Sequence, residues 1–304
     1  MSHPILVTGA AGGPQGSTGR HIANLLIDRG IEVRALVHKL DARSDGLRER
    51  GAEVVEGNLL DPTSIGSALK GVKRAYFTYP VADGLLEATS IFAAAARNAG
   101  TELVVNNSQF QGTPEAPSFR NLQHRLADQI FDWAQAGAVH LQAPPYYENV
   151  RALVSGSVSE KNTVFLPWGD GSAVFPLVGA EDVSRVAATL LASSGAPSRR
   201  AYELIGEAPT VNQIVATLGR VLDKSIRYVQ ITDKQWAEAM KDRINPHALD
   251  HLSHLWQYFR SSATRKGEGG YRITDAVRVV TGKDPLSLEQ FIRSNVEAFG
   301  GLPA

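Results

Sequence analysis

Apolar and polar positions follow two rhythms along the first half of the chain. The run from Ile5 to Thr8 is short, unbroken and ended by glycines, the pattern of a strand buried on both faces. Over residues 16–29 the apolar positions Ile22, Ala23, Leu25, Leu26 and Ile27 form a helical stripe, and Gly30 stands where a C-terminal cap belongs. A strand over 32–37 follows, and the rhythm repeats as 53–55 with 62–69, 74–78 with 85–98, and 102–107 with 119–136, before a last strand at 139–143. Strands separated by helices of this length predict right-handed crossovers and a Rossmann-type, doubly wound parallel α/β sheet. Its ligand belongs along the carboxyl ends of the strands.

Beyond about residue 150 the pattern loosens. Residues 163–168 read as a strand, 180–192 as a helix opened by the acidic pair Glu181 and Asp182, and 201–205, 211–222 and 226–231 alternate again before closing helices, the last over 287–298. The expected division is a dinucleotide-binding domain over 1–150, with 176–200 packing back onto it, and a smaller C-terminal α/β lobe for the substrate from the rest of 151–304. Residues 261–270, rich in serine, glycine and charge, read as a loop.

Between the first strand and first helix lie Gly9, Gly12, Gly13, Gly16 and Gly19, with Ser17 and Thr18 among them. A dinucleotide loop needs glycine there for a tight turn, for the approach of backbone N–H groups to pyrophosphate, and for close helix–sheet packing. The spacing admits two registers, one through Gly12 and one through Gly16 and Gly19. The loop either cradles a dinucleotide or is a structural turn, and the strand before and helix after favour the cradle.

About twenty residues on, the second strand ends where NAD requires an acid and NADP a cation. Here stand His38, Lys39 and, shortly after, Arg43, which favours NADP(H). The alternative is that these are solvated loop charges and that Asp41 reaches the ribose.

Composition narrows the classes. In 304 residues Lys plus Arg and Asp plus Glu each total 31, so no bulk field favours nucleic acid or an anionic membrane. With no cysteine there is no thiolate nucleophile, no disulfide and no cysteine-held metal, and redox chemistry must come from a cofactor. The helical spacing of His247, His251 and His254 could place imidazoles together, but no carboxylate or cysteine completes a metal set, so no metal is expected and the helix reads as polar or substrate-facing. Without a leader pattern or a membrane-length apolar run, the chain reads as a soluble cytoplasmic protein, monomer or homodimer, acting on a small molecule.

Several segments in order carry a resemblance: Ile5-Leu6-Val7-Thr8-Gly9-Ala10-Ala11-Gly12, Val33-Arg34-Ala35-Leu36-Val37, Glu56-Gly57-Asn58-Leu59-Leu60-Asp61-Pro62, Ala180-Glu181-Asp182-Val183 and Thr281-Gly282-Lys283-Asp284-Pro285. Over nearly its whole length the chain resembles the NmrA-like branch of the atypical short-chain dehydrogenase/reductase superfamily. The resemblance implies a Rossmann domain binding NADP(H), a small substrate lobe, and either a reductase or an inert sensor of the nicotinamide redox state. It also implies that Asn58 and Leu59 flank the adenine, that Thr78, Tyr79 and Pro80 follow the fourth strand beside the cofactor, and that Ser108 ends the fifth.

Short-chain reductases proper pair a catalytic tyrosine with a lysine four residues later, and this chain lacks the pair. The position that often holds lysine in related reductases falls on His124, which either relays a proton near neutral pH or only bonds the nicotinamide ribose or packs. Tyr146 and Tyr147, leaving the sixth strand, either line the substrate pocket or form an apolar hinge. The favoured function is an NADPH-dependent oxidoreductase passing hydride to a small apolar or aromatic acceptor: ketone, enone, imine, quinone or azo compound.

Overall fold

The computed structural model describes residues 3–13, 17–110, 118–264 and 271–301. In chain order the first half comprises β1 (Ile5–Thr8), α1 (Thr18–Ile27), β2 (Val33–Val37), α2 (Ala42–Glu49), β3 (Glu53–Glu56), α3 (Pro62–Ala68), β4 (Arg74–Phe77), α4 (Leu85–Ala99), β5 (Leu103–Gln109), α5 (Phe119–Ala134) and β6 (Ala138–Ala143). There follow α6 (Tyr147–Lys161), β7 (Thr163–Leu166), α7 (Ala180–Ala192), β8 (Ala201–Glu203), α8 (Val211–Leu222), β9 (Arg227–Gln230), α9 (Asp233–Met240), α10 (Pro246–Thr264), α11 (Ala276–Thr281) and α12 (Leu288–Arg293).

Seven strands form one parallel sheet in the order β3-β2-β1-β4-β5-β6-β8. The strand order reverses between β1 and β4, which opens a crevice at their carboxyl ends. The unbroken apolar runs reflect burial on both faces. Ile5 and Val7 of β1 meet Ile22, Leu26, Val183, Val186 and Leu190 from α1 and α7, whereas Leu6 meets the layer of Leu69, Phe92 and Phe131 from the other side. The sheet is thus doubly wound, as the rhythm predicts. β8 extends it beyond β6, so a strand expected among the substrate-lobe residues belongs to the large sheet.

A second apolar cluster joins α6, α8, α9, α10 and α12 to the two-stranded parallel sheet of β7 and β9. Trp168, Phe175, Trp256 and Phe259 form its aromatic centre, with the rings of Trp168 and Phe175 stacked at 4.4 Å between centroids. Two helices escape the sequence pattern. In α2 only Ser44 and Leu47 are buried, so it has no apolar stripe, and α6 threads its stripe of Val150, Val154 and Val158 among serines, glycine and charges. Of the loop expected over 261–270, residues 261–264 belong to α10, which runs to Thr264, and 265–270 lie outside the described residues. Among the described residues no helix is long and apolar enough to cross a membrane.

The two clusters are tied together at Asp182, fully buried in the first turn of α7. One carboxylate oxygen accepts from the backbone N–H of Leu286 (2.8 Å) and the other from Arg185. Burial raises its pKa while the Arg185 and Leu286 hydrogen bonds hold it down. Removing one partner of such a buried set leaves the others unsatisfied. Asp182→Ala should therefore cost about 3 kcal/mol in urea unfolding, whereas Glu181→Ala, one residue earlier and exposed, should stay within about 0.5 kcal/mol.

Candidate functional site

The site begins where β1 hands over to α1. Gly9 has φ +64° and Gly12 φ +69°, and the Gly12 N–H closes the turn on the Gly9 carbonyl at 3.0 Å. A Cβ on Gly19 would stand 2.4 Å from the Thr8 carbonyl oxygen and 2.6 Å from that of Gly9, so only glycine lets α1 start this close to the strand. The turn Gly9–Gly12 and the packing of Gly19 are both present; Gly16 lies outside the described residues. Ser17 pairs with His21 (3.3 Å), and buried Thr18 accepts the Tyr76 hydroxyl at 2.9 Å. The cradle, left open where side chains would fill it, fits a pyrophosphate at a helix N-terminus.

Cations gather beside it. Arg43 donates to the Gly12 carbonyl (3.0 Å), Arg20 donates to the Arg43 carbonyl (3.0 Å), and His38 and Lys39 are exposed at the end of β2. Asp41 is engaged otherwise than in reaching a ribose: it caps α2 through Arg43 N–H (2.9 Å) and pairs with the Arg43 guanidinium at 2.6 Å, which lowers its pKa. Asn58 is exposed, with its side-chain oxygen on the Leu60 N–H, and Leu59 is half-buried beside it.

Across the crevice, the Thr8 hydroxyl accepts from Thr78 N–H (2.9 Å) and lies 3.3 Å from the Thr78 carbonyl. Asn107 then donates to the Thr78 hydroxyl (3.4 Å), and Tyr146 donates to Asn107 Oδ1 (3.2 Å). This chain crosses the ends of β1, β4, β5 and β6. Burial pushes the Tyr146 phenol up to about 12, partly offset by Asn107 and reinforced by Glu148. Tyr79 turns its hydroxyl onto the Asp83 carbonyl (2.8 Å), and the Pro80 and Ala82 carbonyls are held by the buried Arg120 guanidinium.

Three of the expected site residues stand outside this hydrogen-bonded chain. Ser108 lies near the end of β5, and alternation along the strand turns it to α5, where it donates to Asp128 (3.0 Å), which also accepts from Asn106 (2.8 Å). Asn107, one position away, takes the place at the crevice. Tyr147 is fully buried in the second cluster, 5.5 Å from the Phe291 ring, and its hydroxyl donates to the Leu286 carbonyl (3.2 Å), which suits the apolar hinge of its two readings. His124 is not poised near neutral pH; burial, Arg120 and His251 hold its pKa well below 6.5. It is buried on the inner face of α5, and among the described residues neither ring nitrogen has a hydrogen-bond partner.

The structure adds a group from the histidine-bearing helix. His251 of α10 reaches Ser118 (2.7 Å) and Gln109 (3.2 Å), and Asn121 donates to Gln109 (3.0 Å). Beside them the Phe110 ring meets Tyr271 edge-on at 5.7 Å. These contacts close one wall between the two clusters. Only the helical spacing of His247, His251 and His254 marked the place in advance, and spacing alone could not say which imidazole turns inward.

The model of the NmrA-like family matches residues 1–292. The chain belongs to this family. It is 24% identical over 299 residues to an NAD(P)H azoreductase of Xenophilus azovorans, covering 97% of this chain and 99% of that one. Its fold is similar to an NADPH-dependent quinone oxidoreductase of Escherichia coli complexed with NADPH (TM-score 0.80, 20% identity, covering 96% and 99% of the two chains). It is also similar to NmrA, a negative transcriptional regulator solved with NADP (TM-score 0.78, 17% identity, 98% and 97%).

Burial, then Arg120 and His254, lowers the His251 pKa from 6.5 to about 3. The native state keeps this imidazole neutral while the unfolded chain protonates it, so its contribution to stability is complete above 6.5 and drains away as pH falls towards 3. Between pH 6.5 and about pH 5, wild type should lose about 2 kcal/mol of unfolding free energy through this residue. His251→Gln should show that much less loss over the same interval in urea titrations.

Proposed function

We propose that this protein is an NADPH-dependent reductase of a small aromatic acceptor, a quinone or an azo compound. One observation carries it: the glycine cradle, with its cations, adjoins a floor of uncharged hydroxyl and amide groups flanked by Tyr146. The wall beside that floor is made by Gln109, Phe110, His251 and Tyr271. The named relatives support the reductase class, since one is an NAD(P)H azoreductase and another an NADPH-dependent quinone oxidoreductase.

Residues 1–150 would hold the cofactor, with the small lobe supplying much of the acceptor pocket. Gly9, Gly12, Ser17, Thr18 and Gly19 would receive the pyrophosphate, and His38, Lys39, Arg43 and Arg20 the adenosine phosphate. Asn58 and Leu59 would border the adenine, and Thr78, Tyr79 and Pro80 the riboses. When bound, NADPH supplies the hydride. The protein's own part is to orient and to exclude water. Tyr146 stays protonated with its hydrogen on Asn107, so it positions the acceptor and does not act as an acid at neutral pH. His124, neutral and free of protein partners among the described residues, offers one N–H and one lone pair to a ribose hydroxyl or an acceptor oxygen. With Tyr146 held protonated and His124 held neutral, the proton that completes the reduced product comes from water.

Purified protein should oxidise NADPH with quinone or azo acceptors in an absorbance assay, and Tyr146→Phe should raise KM more than it lowers kcat. Tight NADPH binding without turnover across carbonyl, imine, quinone and azo acceptors would replace this function with that of a redox sensor. Lys39→Ala and Arg43→Ala should each weaken NADPH about tenfold, or about 1.4 kcal/mol, and leave NADH affinity unchanged in calorimetric titrations.

A further inference from the structure

Among the described residues, Arg120 alone of the lysines and arginines is buried, at 6% exposure. It stands in the first turn of α5, where the aligned peptide dipoles already carry positive partial charge, so its position is unfavourable twice over. A buried cation is ordinarily compensated by a carboxylate. Arg185, the comparable case, is paired with the buried Asp182. Arg120 forms no ion pair among the described residues. Asp83, the carboxylate whose field reaches it, has its side chain 92% exposed beside His247. Burial pulls the Arg120 pKa down to about 10, which leaves the group charged at neutral pH.

The guanidinium has five N–H donors, and its protein acceptors are the carbonyls of Pro80 and Ala82 and, at 3.4 Å, the side-chain oxygen of Gln123. Its Nε is buried without a hydrogen-bond partner. An unmet buried donor on a charged group is costly, and an anion would satisfy the donor and the charge together.

The surroundings narrow the choice of anion. Pro80 and Ala82 follow β4 at the carboxyl edge of the sheet. Arg120 is also the strongest charge acting on both His124, one turn further along α5, and His251 of α10. The guanidinium thus stands between the β4–α4 loop, α5 and α10, beside the wall that includes Gln109 and His251 and away from the exposed cations at the end of β2. Its field helps to keep both imidazoles neutral, so His124 offers an N–H without adding a second charge.

From this juxtaposition, and resting on the reductase reading, we infer that Arg120 receives an oxyanion carried by the acceptor, a carboxylate or sulfonate on its aromatic body, with the His124 N–H as second donor. An anionic acceptor gains a charge-assisted contact at Nε, a neutral one of the same shape leaves that donor unmet, and a cationic one is repelled.

Azobenzene para-carboxylate and azobenzene para-carboxamide have nearly the same shape and differ in charge. Calorimetric titration of each into full-length protein saturated with NADP+ keeps the dinucleotide's own phosphate sites filled. Wild type should bind the carboxylate at least about tenfold more tightly than the amide, the advantage of one charge-assisted contact. Arg120→Gln should abolish that preference, and Arg120→Lys, which keeps the charge and loses the planar fork, should retain a smaller one. A role confined to holding the Pro80 and Ala82 carbonyls would weaken both probes alike. Equal affinity of wild type for the two probes, or a preference that survives Arg120→Gln, would overturn the inference. If Arg120→Gln fails to fold by circular dichroism, Arg120→Lys carries the test, and an unchanged preference there overturns it. A preference seen only without NADP+ would overturn it too, by assigning the guanidinium to the dinucleotide. Turnover is read separately: binding of the carboxylate through Arg120 without NADPH oxidation would remove the reductase reading and leave this site standing, whereas reduction of both probes with no preference would do the reverse.

Discussion

The organising contact of the molecule is the approach of α1 to the end of β1. At Gly19 the helix stands so near the Thr8 and Gly9 carbonyls that a single methyl group would collide with both. This contact aims the helix N-terminus along the strand and leaves the Gly9–Gly12 turn bare. Thr8 in turn holds Thr78 across the point where the strand order reverses. From there hydrogen bonds step to Asn107 and Tyr146, so the floor of the crevice is referred back, strand by strand, to one helix–strand contact.

Electrostatics divides the crevice into two environments. At the β2 end the cations are exposed and one of them, Arg43, is tied to Asp41 and to the glycine turn, an arrangement suited to a solvated phosphate. At the other end two imidazoles and a phenol are buried and held neutral. Desolvation lowers His124 and His251 and raises Tyr146, and buried Arg120 adds its field against both imidazoles. Such an environment disfavours chemistry in which either imidazole or the phenol changes charge at neutral pH.

Helix α5 carries this division through the molecule. One face buries His124, places Asn121 on Gln109 and gives Asp128 to the buried Asn106–Ser108 network, while the opposite face leaves Phe119, Leu122, Leu126 and Trp133 exposed.

Sheet, glycine loop and cation cluster were legible in the amino-acid sequence because each is a local property. A strand buried on both faces must be apolar throughout, a close backbone approach admits only glycine, and a phosphate needs cations near the second strand's end. The helices α2 and α6 were not legible, the first being almost wholly exposed and the second having its stripe diluted by small polar residues. Nor could the sequence choose between Asn107 and Ser108, or between Tyr146 and Tyr147. Neighbours in a chain point in different directions, and which direction meets the crevice depends on strand register and on where a helix begins. His251, far along the chain from Ser118 and Gln109, joined the site only through the docking of one apolar cluster on the other. Local sequence thus determined the cofactor cradle, and tertiary packing decided which side chains surround it and in what protonation state, because desolvation is a property of neighbours brought together by folding.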